Sequence, residues 1–156
     1  HKCCRNLYIK IMSNIGELPL VELIRGDYKQ ESMEFQNSDE TPYDLTVYNN
    51  IVMDVRDNPY EDANLVFSIS LGNGITIGGD NNELLIIEIS SDNSEKFITA
   101  YTQFNKNPSK LYTLSKNVDL NMPTYFFRDI RFIIDDKVVT TLNGKYKVIN
   151  NISKRP

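Results

Sequence analysis

The feature that most restricts this chain is a period of two. In "NIVMDVRD", Ile51, Met53 and Val55 fall on one side of an extended chain, and Val52, Asp54 and Arg56 on the other. In "NLVFSISLG", Leu65, Phe67, Ile69 and Leu71 alternate with Val66, Ser68 and Ser70. Successive side chains of a strand point to opposite faces, so this alternation marks half-buried strands rather than an amphipathic helix. "GNG" (Gly72 to Gly74) and "GGDNN" place turn residues around "ITI", because glycine and asparagine accept the positive φ of tight turns. "ELLIIEIS" is apolar on both faces and predicts a central, well-covered strand. In "TYFFRDIRFII", Phe126, Ile130, Phe132 and Ile134 share a face. Asp135-Asp136 then turns the chain into "KVVTTL", and Asn143-Gly144 leads into "KYKVIN". Asn-Gly between strands signals a type I′ hairpin, and it also marks a bulge within one long strand.

One segment departs from the pattern. In "SSDNSEKFITAYTQFNKNP", Asp92 is placed to cap a helix, with Glu95 in the capping-box position. Phe97, Ile98, Tyr101 and Phe104 would share a helical face, and Asn107-Pro108 would stop it. The spacing predicts a short helix near Asp92 to Phe104, followed by the long connection "SKLYTLSKNVDLNMP". With no alternating helices and no internal repeat, a parallel sheet is not expected. The expected fold is all-β: two packed antiparallel sheets of about seven to nine strands, with one short inserted helix.

A chain of 156 residues is long enough for one domain with a real core. Residues 1–17 are expected to form an N-terminal extension or arm, with Met12 a plausible start, and residues 18–156 a single domain carrying an insertion at about 96–121. The formal net charge of -4 offers no basic face for nucleic acid or a membrane surface. No apolar run approaches the roughly 20 residues that span a bilayer. Cys3 and Cys4 are neighbours, so they cannot staple distant parts of the fold, which fits assembly in a reducing cytoplasm.

The catalytic inventory is thin. His1 is the sole histidine, which removes the usual base for a serine or cysteine nucleophile. "GNGITIGG" is off-register for a dinucleotide loop and opens no helix. A carboxylate-pair enzyme is the third functional class to weigh, but tryptophan platforms for a sugar cleft are missing. Asp54, Asp57, Glu61 and Asp62, and separately Asp80 and Glu83, form oxygen-rich loops without calcium-binding spacing, and they read as solvated turns. No catalytic residue, metal site or cofactor is expected. Arg25-Gly26-Asp27 raises the question of an adhesion motif, but it joins "LPLVELI" to "YKQESMEF". Its expected role is a turn in which Gly26 supplies the backbone freedom.

The order of these pieces is familiar: "LIRGD", "YDLT", "LVFSISLGNGITI", "LLIIEISSDN" and the closing "YFFRDIRFIIDDKVVTTLNGKYKVINNISK". It resembles a small immunoglobulin-like β-sandwich of tailed-bacteriophage virion proteins, notably the N-terminal domain of baseplate upper proteins. The likeness runs from about Leu18 to Lys154 and departs at Phe97 to Met122, where that family has only a brief turn or helix. It implies an antiparallel immunoglobulin-like sandwich and a non-enzymatic adaptor or decoration module on the capsid, neck, tail or baseplate. It also implies a virion location after assembly in the host bacterial cytoplasm. The expected partners are other virion proteins, with homo-oligomerisation in the particle left open and neither nucleic acid nor membrane involved. The alternative is a carbohydrate- or receptor-binding sandwich. The insertion carries the expected partner-binding residues, Phe97, Tyr101, Phe104, Leu111 and Tyr112, since buried aromatics anchor interfaces. Equally, it could cap an open end of the sandwich.

Overall fold

The computed structural model describes residues 5–12, 17–98 and 122–150. Among the described residues the fold is all-β and mostly antiparallel, with almost no helix. Strands β1 (Arg5–Met12), β2 (Val21–Ile24), β3 (Lys29–Gln36), β4 (Asn50–Arg56), β5 (Leu65–Leu71), β6 (Gly74–Gly78), β7 (Leu84–Ile89), β8 (Thr124–Ile134) and β9 (Lys137–Ile149) form one hydrogen-bonded sheet. Their order is β1-β3-β7-β6-β5-β4-β8-β9-β2. The two separate sheets expected from the sequence are therefore joined. The joint is the β5–β6 pairing, which runs parallel and covers only Ser70↔Gly74 and Leu71↔Ile75. Two other parallel pairs, β1 with β3 and β2 with β9, lie at the ends of the order. Arg5–Met12 thus adds an edge strand to the sheet.

Strands β3 and β8, from the two halves of this order, face each other across one core. Phe35 of β3 meets Phe132 of β8 edge-on at 5.7 Å. Ile51, Met53 and Val55 of β4 are buried as their alternation predicts, and Leu85, Ile87 and Ile89 of β7 are buried with them. Full burial of each such side chain contributes roughly 1.5–3 kcal/mol. The other face of β7, expected to be covered too, is partly open at Leu84 and Ile86 and exposed at Glu88. Leu45 closes one side of the core from a short 3-10 turn (Leu45–Val47) whose cap, Asp44, accepts from the Thr46 amide at 2.9 Å.

Three local readings need correction or refinement. Among the described residues the helix is one turn, α1 (Ser91–Ser94), capped by Ser90 rather than Asp92, and Glu95 is its C-cap. The cause is Arg25, whose Nε donates to the Phe97 carbonyl at 3.0 Å and whose Nη2 donates to the Glu95 carbonyl at 2.9 Å. Those bonds hold the chain in a non-helical path and drop Phe97 into the core, while the rest of the expected helix lies outside the described residues. Asn143-Gly144 is neither a hairpin nor a bulge, because β9 runs straight through it in register with Asp129 and Arg128. Glycine is needed there for close approach: a Cβ at 144 would lie 3.0 Å from Leu18 Cβ and 3.3 Å from Arg128 Nε. The true hairpin is Asp135-Asp136, with φ of 49° and 65°, the left-handed pair that a type I′ turn demands.

Candidate functional site

The outer face of the β5-β4-β8-β9 region carries the most concentrated polar chemistry among the described residues. Strand register lines up Ser68, Asp54, Asp129 and Asn143 in one row across the four strands. Asp54 is nearly buried and fully engaged. Its Oδ1 accepts from Ser68 Oγ at 2.7 Å, and its Oδ2 accepts from Arg56 at 3.0 Å and from Arg131 at 2.8 Å. Asp129 stands directly opposite Asp54, a like-charged cross-strand pair that disfavours itself. Its Oδ1 is shielded from water without a hydrogen bond, 3.6 Å from Arg131 Nε. Burial, followed by the Asp54 charge, pushes the Asp129 carboxyl above its usual range despite Arg131 and Arg56.

Beside this row the β4–β5 loop leans over the sheet. Together they enclose a groove of about 460 Å³, floored by Arg56, Phe127, Asp129 and Asn143 and walled by Asn58 to Glu61. The loop is held by its own side chains. Asp57 accepts from the Asn58 side chain at 2.9 Å, the Asn64 amide at 3.0 Å and the Asn64 side chain at 3.0 Å. Asn58 Oδ1 in turn accepts from the Tyr60 amide at 2.9 Å. The clamp presents the Tyr60 ring to solvent, 72% exposed. Part of the acidic loop read from the sequence as a solvated turn is therefore an ordered scaffold. No group of three or more metal-ligating side chains occurs among the described residues.

Of the residues expected to bind a partner, Phe97 is fully buried. Its ring packs against Phe67 at 5.5 Å, Phe126 at 4.7 Å and Tyr146 at 6.4 Å, so it belongs to the core rather than to a docking surface. Tyr101, Phe104, Leu111 and Tyr112 lie outside the described residues. The Arg25-Gly26-Asp27 turn joins β2 to β3, and its Gly26 amide donates to Ser94 Oγ at 2.8 Å. Arg25 also pairs with Glu95 at 3.1 Å. Sequence reasoning missed the groove, although Phe127, an aromatic on the polar parity of β8, and Tyr60, set in a polar loop after Pro59, were its visible signals.

Among the described residues no helix is long and apolar enough to cross a membrane. No protein-family model matches the chain, and no curated protein matches its sequence significantly. Among solved structures, the N-terminal domain of phage TP901-1 ORF48 is similar at 10% identity and a TM-score of 0.48, covering 92% of this chain and 98% of that one. The extracellular domain of the voltage-gated sodium channel beta4 subunit is similar at 10% identity and a TM-score of 0.33, covering 89% and 97%. Both are distant likenesses.

Proposed function

We propose that this chain is an immunoglobulin-like β-sandwich serving as a non-enzymatic structural module of a bacteriophage particle, an adaptor or decoration bound to capsid, neck, tail or baseplate proteins. The observation that carries the fold part is strand order. The run β3-β7-β6 corresponds to B-E-D of an immunoglobulin domain, and β9-β8-β4-β5 to G-F-C-C′. β1 stands beside β3 where strand A would be, although it runs parallel to it. Immunoglobulin domains join strands B and F with a disulfide. The corresponding strands here are joined by the ion pair of Glu31 on β3 with Arg128 on β8.

The virion part rests on the sequence resemblance, whose motifs fall on structurally decisive positions. "LIRGD" is the β2–β3 turn, and "YFFRDIRFIIDDKVVTTLNGKYKVI" is the closing β8–β9 hairpin. A protein of this kind works by shape and contact, with its charges spent on fold and interfaces. Mass spectrometry of purified particles from the phage that encodes it tests the reading. Stoichiometric recovery in the particle is expected, and its absence from intact virions would overturn it.

A further inference from the structure

We propose that the groove between the β4–β5 loop and the outer face of β8 and β9 binds a neutral or amino pyranose ring of a glycan. At about 460 Å³ the groove has the capacity of a small-ligand site. Tyr60 stands in the loop wall and Phe127 in the sheet floor, where the Lys145 ammonium lies 5.4 Å from the Phe127 ring centroid, so the exposed Tyr60 ring is the flat apolar surface that an entering ring meets. Such surface suits the C–H face of a pyranose. Around these rings sit the amides of Asn58 and Asn143 and the carboxylates of Glu61 and Asp129. That set offers both donors and acceptors to neighbouring hydroxyls, which are themselves both.

Charge narrows the class. Arg56, a cation lining the groove, is already tied to Asp54 at 3.0 Å. Glu61 and Asp129 contribute two carboxylates to the lining itself, whereas Lys145 rests against the Phe127 ring with its ammonium 5.4 Å from the centroid, so the lining favours neutral and amino sugars over acidic ones. Two independent features separate this groove from a bare surface dent. A large aromatic side chain left 72% exposed is costly to solvate, yet the Asp57–Asn58–Asn64 hydrogen bonds hold the loop that presents it. Preorganisation of this kind lowers the ordering cost of binding. Asp129 is also kept opposite Asp54, where it weakens the fold. A ligand hydroxyl at the exposed side of that carboxylate would offset part of the cost.

The test applies the intact chain to a printed array of neutral, amino and acidic glycans. The best neutral or amino glycan is then titrated by calorimetry against wild type, Tyr60→Ala and Tyr125→Ala. Tyr60 lies in an exposed loop, and Tyr125 is an exposed aromatic elsewhere on β8, so neither change touches the core. Retention of a neutral or amino glycan is expected, with affinity falling about tenfold or more in Tyr60→Ala and unchanged in Tyr125→Ala. The proposal is overturned by no retention, by retention of acidic glycans alone, by binding that survives Tyr60→Ala, or by an equal loss in Tyr125→Ala. It stands apart from the virion reading: absence from particles would leave it intact, and a silent array would leave that reading intact.

Discussion

Arg128 on β8 and Glu31 on β3, 97 residues apart, form a bidentate ion pair with both side chains sealed from solvent. The two bonds measure 2.8 and 3.0 Å, and Tyr146 Oη donates to Glu31 Oε1 at 2.6 Å. Burial alone would lower the Arg128 pKa, but the adjacent Tyr146 and Glu31 hold it above its ordinary value. Burial keeps the Tyr146 phenol well above its own, so it stays a donor. A buried pair of this kind is costly to break and much less costly to replace as a unit. Glu31→Leu alone is expected to cost about 3–5 kcal/mol, because it strands a buried cation. The double change Glu31→Leu with Arg128→Met should cost far less than either single change. Urea denaturation of the four proteins as a double-mutant cycle measures this, and additive losses would refute it.

Gly26 is buried at φ 88°, a conformation that a β-branched side chain resists. Gly26→Val is expected to destabilise by roughly 1 kcal/mol or more. Ser94→Ala should add a loss of about 1–3 kcal/mol, since Ser94 Oγ receives the Gly26 amide and reaches the Ile24 carbonyl at 3.3 Å. Thermal unfolding reads both. Asp27→Glu should change no animal-cell adhesion, because Arg25 is spent on the Glu95 and Phe97 carbonyls. Adhesion that depended on Asp27 would overturn the turn reading.

The Asp129 carboxyl has a raised pKa because of burial and then Asp54. The folded protein therefore holds that proton more tightly than the unfolded chain. The contribution to stability is present below the unfolded value of roughly 4 and is lost as pH rises through the raised folded value. Asp129→Asn removes the charge at every pH. It should stabilise the protein at pH 7 by about 0.5 kcal/mol, with the gain vanishing near pH 3. Urea midpoints at the two pH values decide it, and a gain of equal size at both would show that charge is not the cause.

The strands were legible because each buries one face, which writes a period of two into β4, β5 and β8. The same parity held a second message. Arg128 sits between Phe126 and Ile130 on the inward side of β8, and Glu31 shares the parity of Met33 and Phe35 on β3. An ionisable residue on an apolar parity asks for a partner, but sequence alone could not say that the two would meet across the core. The helix over residues 95–98 was misread for a related reason. Phe97 and Ile98 fit a helical face locally, yet a tertiary bond from Arg25, 70 residues from Glu95, decides the backbone there. The groove was hidden because it joins a loop to strands distant in sequence.

Phe97 and Ile98 are adjacent but face opposite fates: Phe97 is fully buried, and Ile98 is 56% exposed. Because Phe97 fills space among Phe67, Phe126 and Tyr146, Phe97→Ala leaves a cavity as well as losing apolar burial. The expected cost is about 3–5 kcal/mol. Ile98→Ala removes a side chain already largely in water and should change stability by less than about 0.5 kcal/mol. Chemical denaturation compares the two directly, and incorporation into particles supplies the second readout. A core role predicts that Phe97→Ala lowers incorporation only in proportion to the fraction unfolded. If Phe97→Ala kept wild-type stability yet failed to join the particle, Phe97 would be an anchoring residue after all, and its place in the core would be wrong.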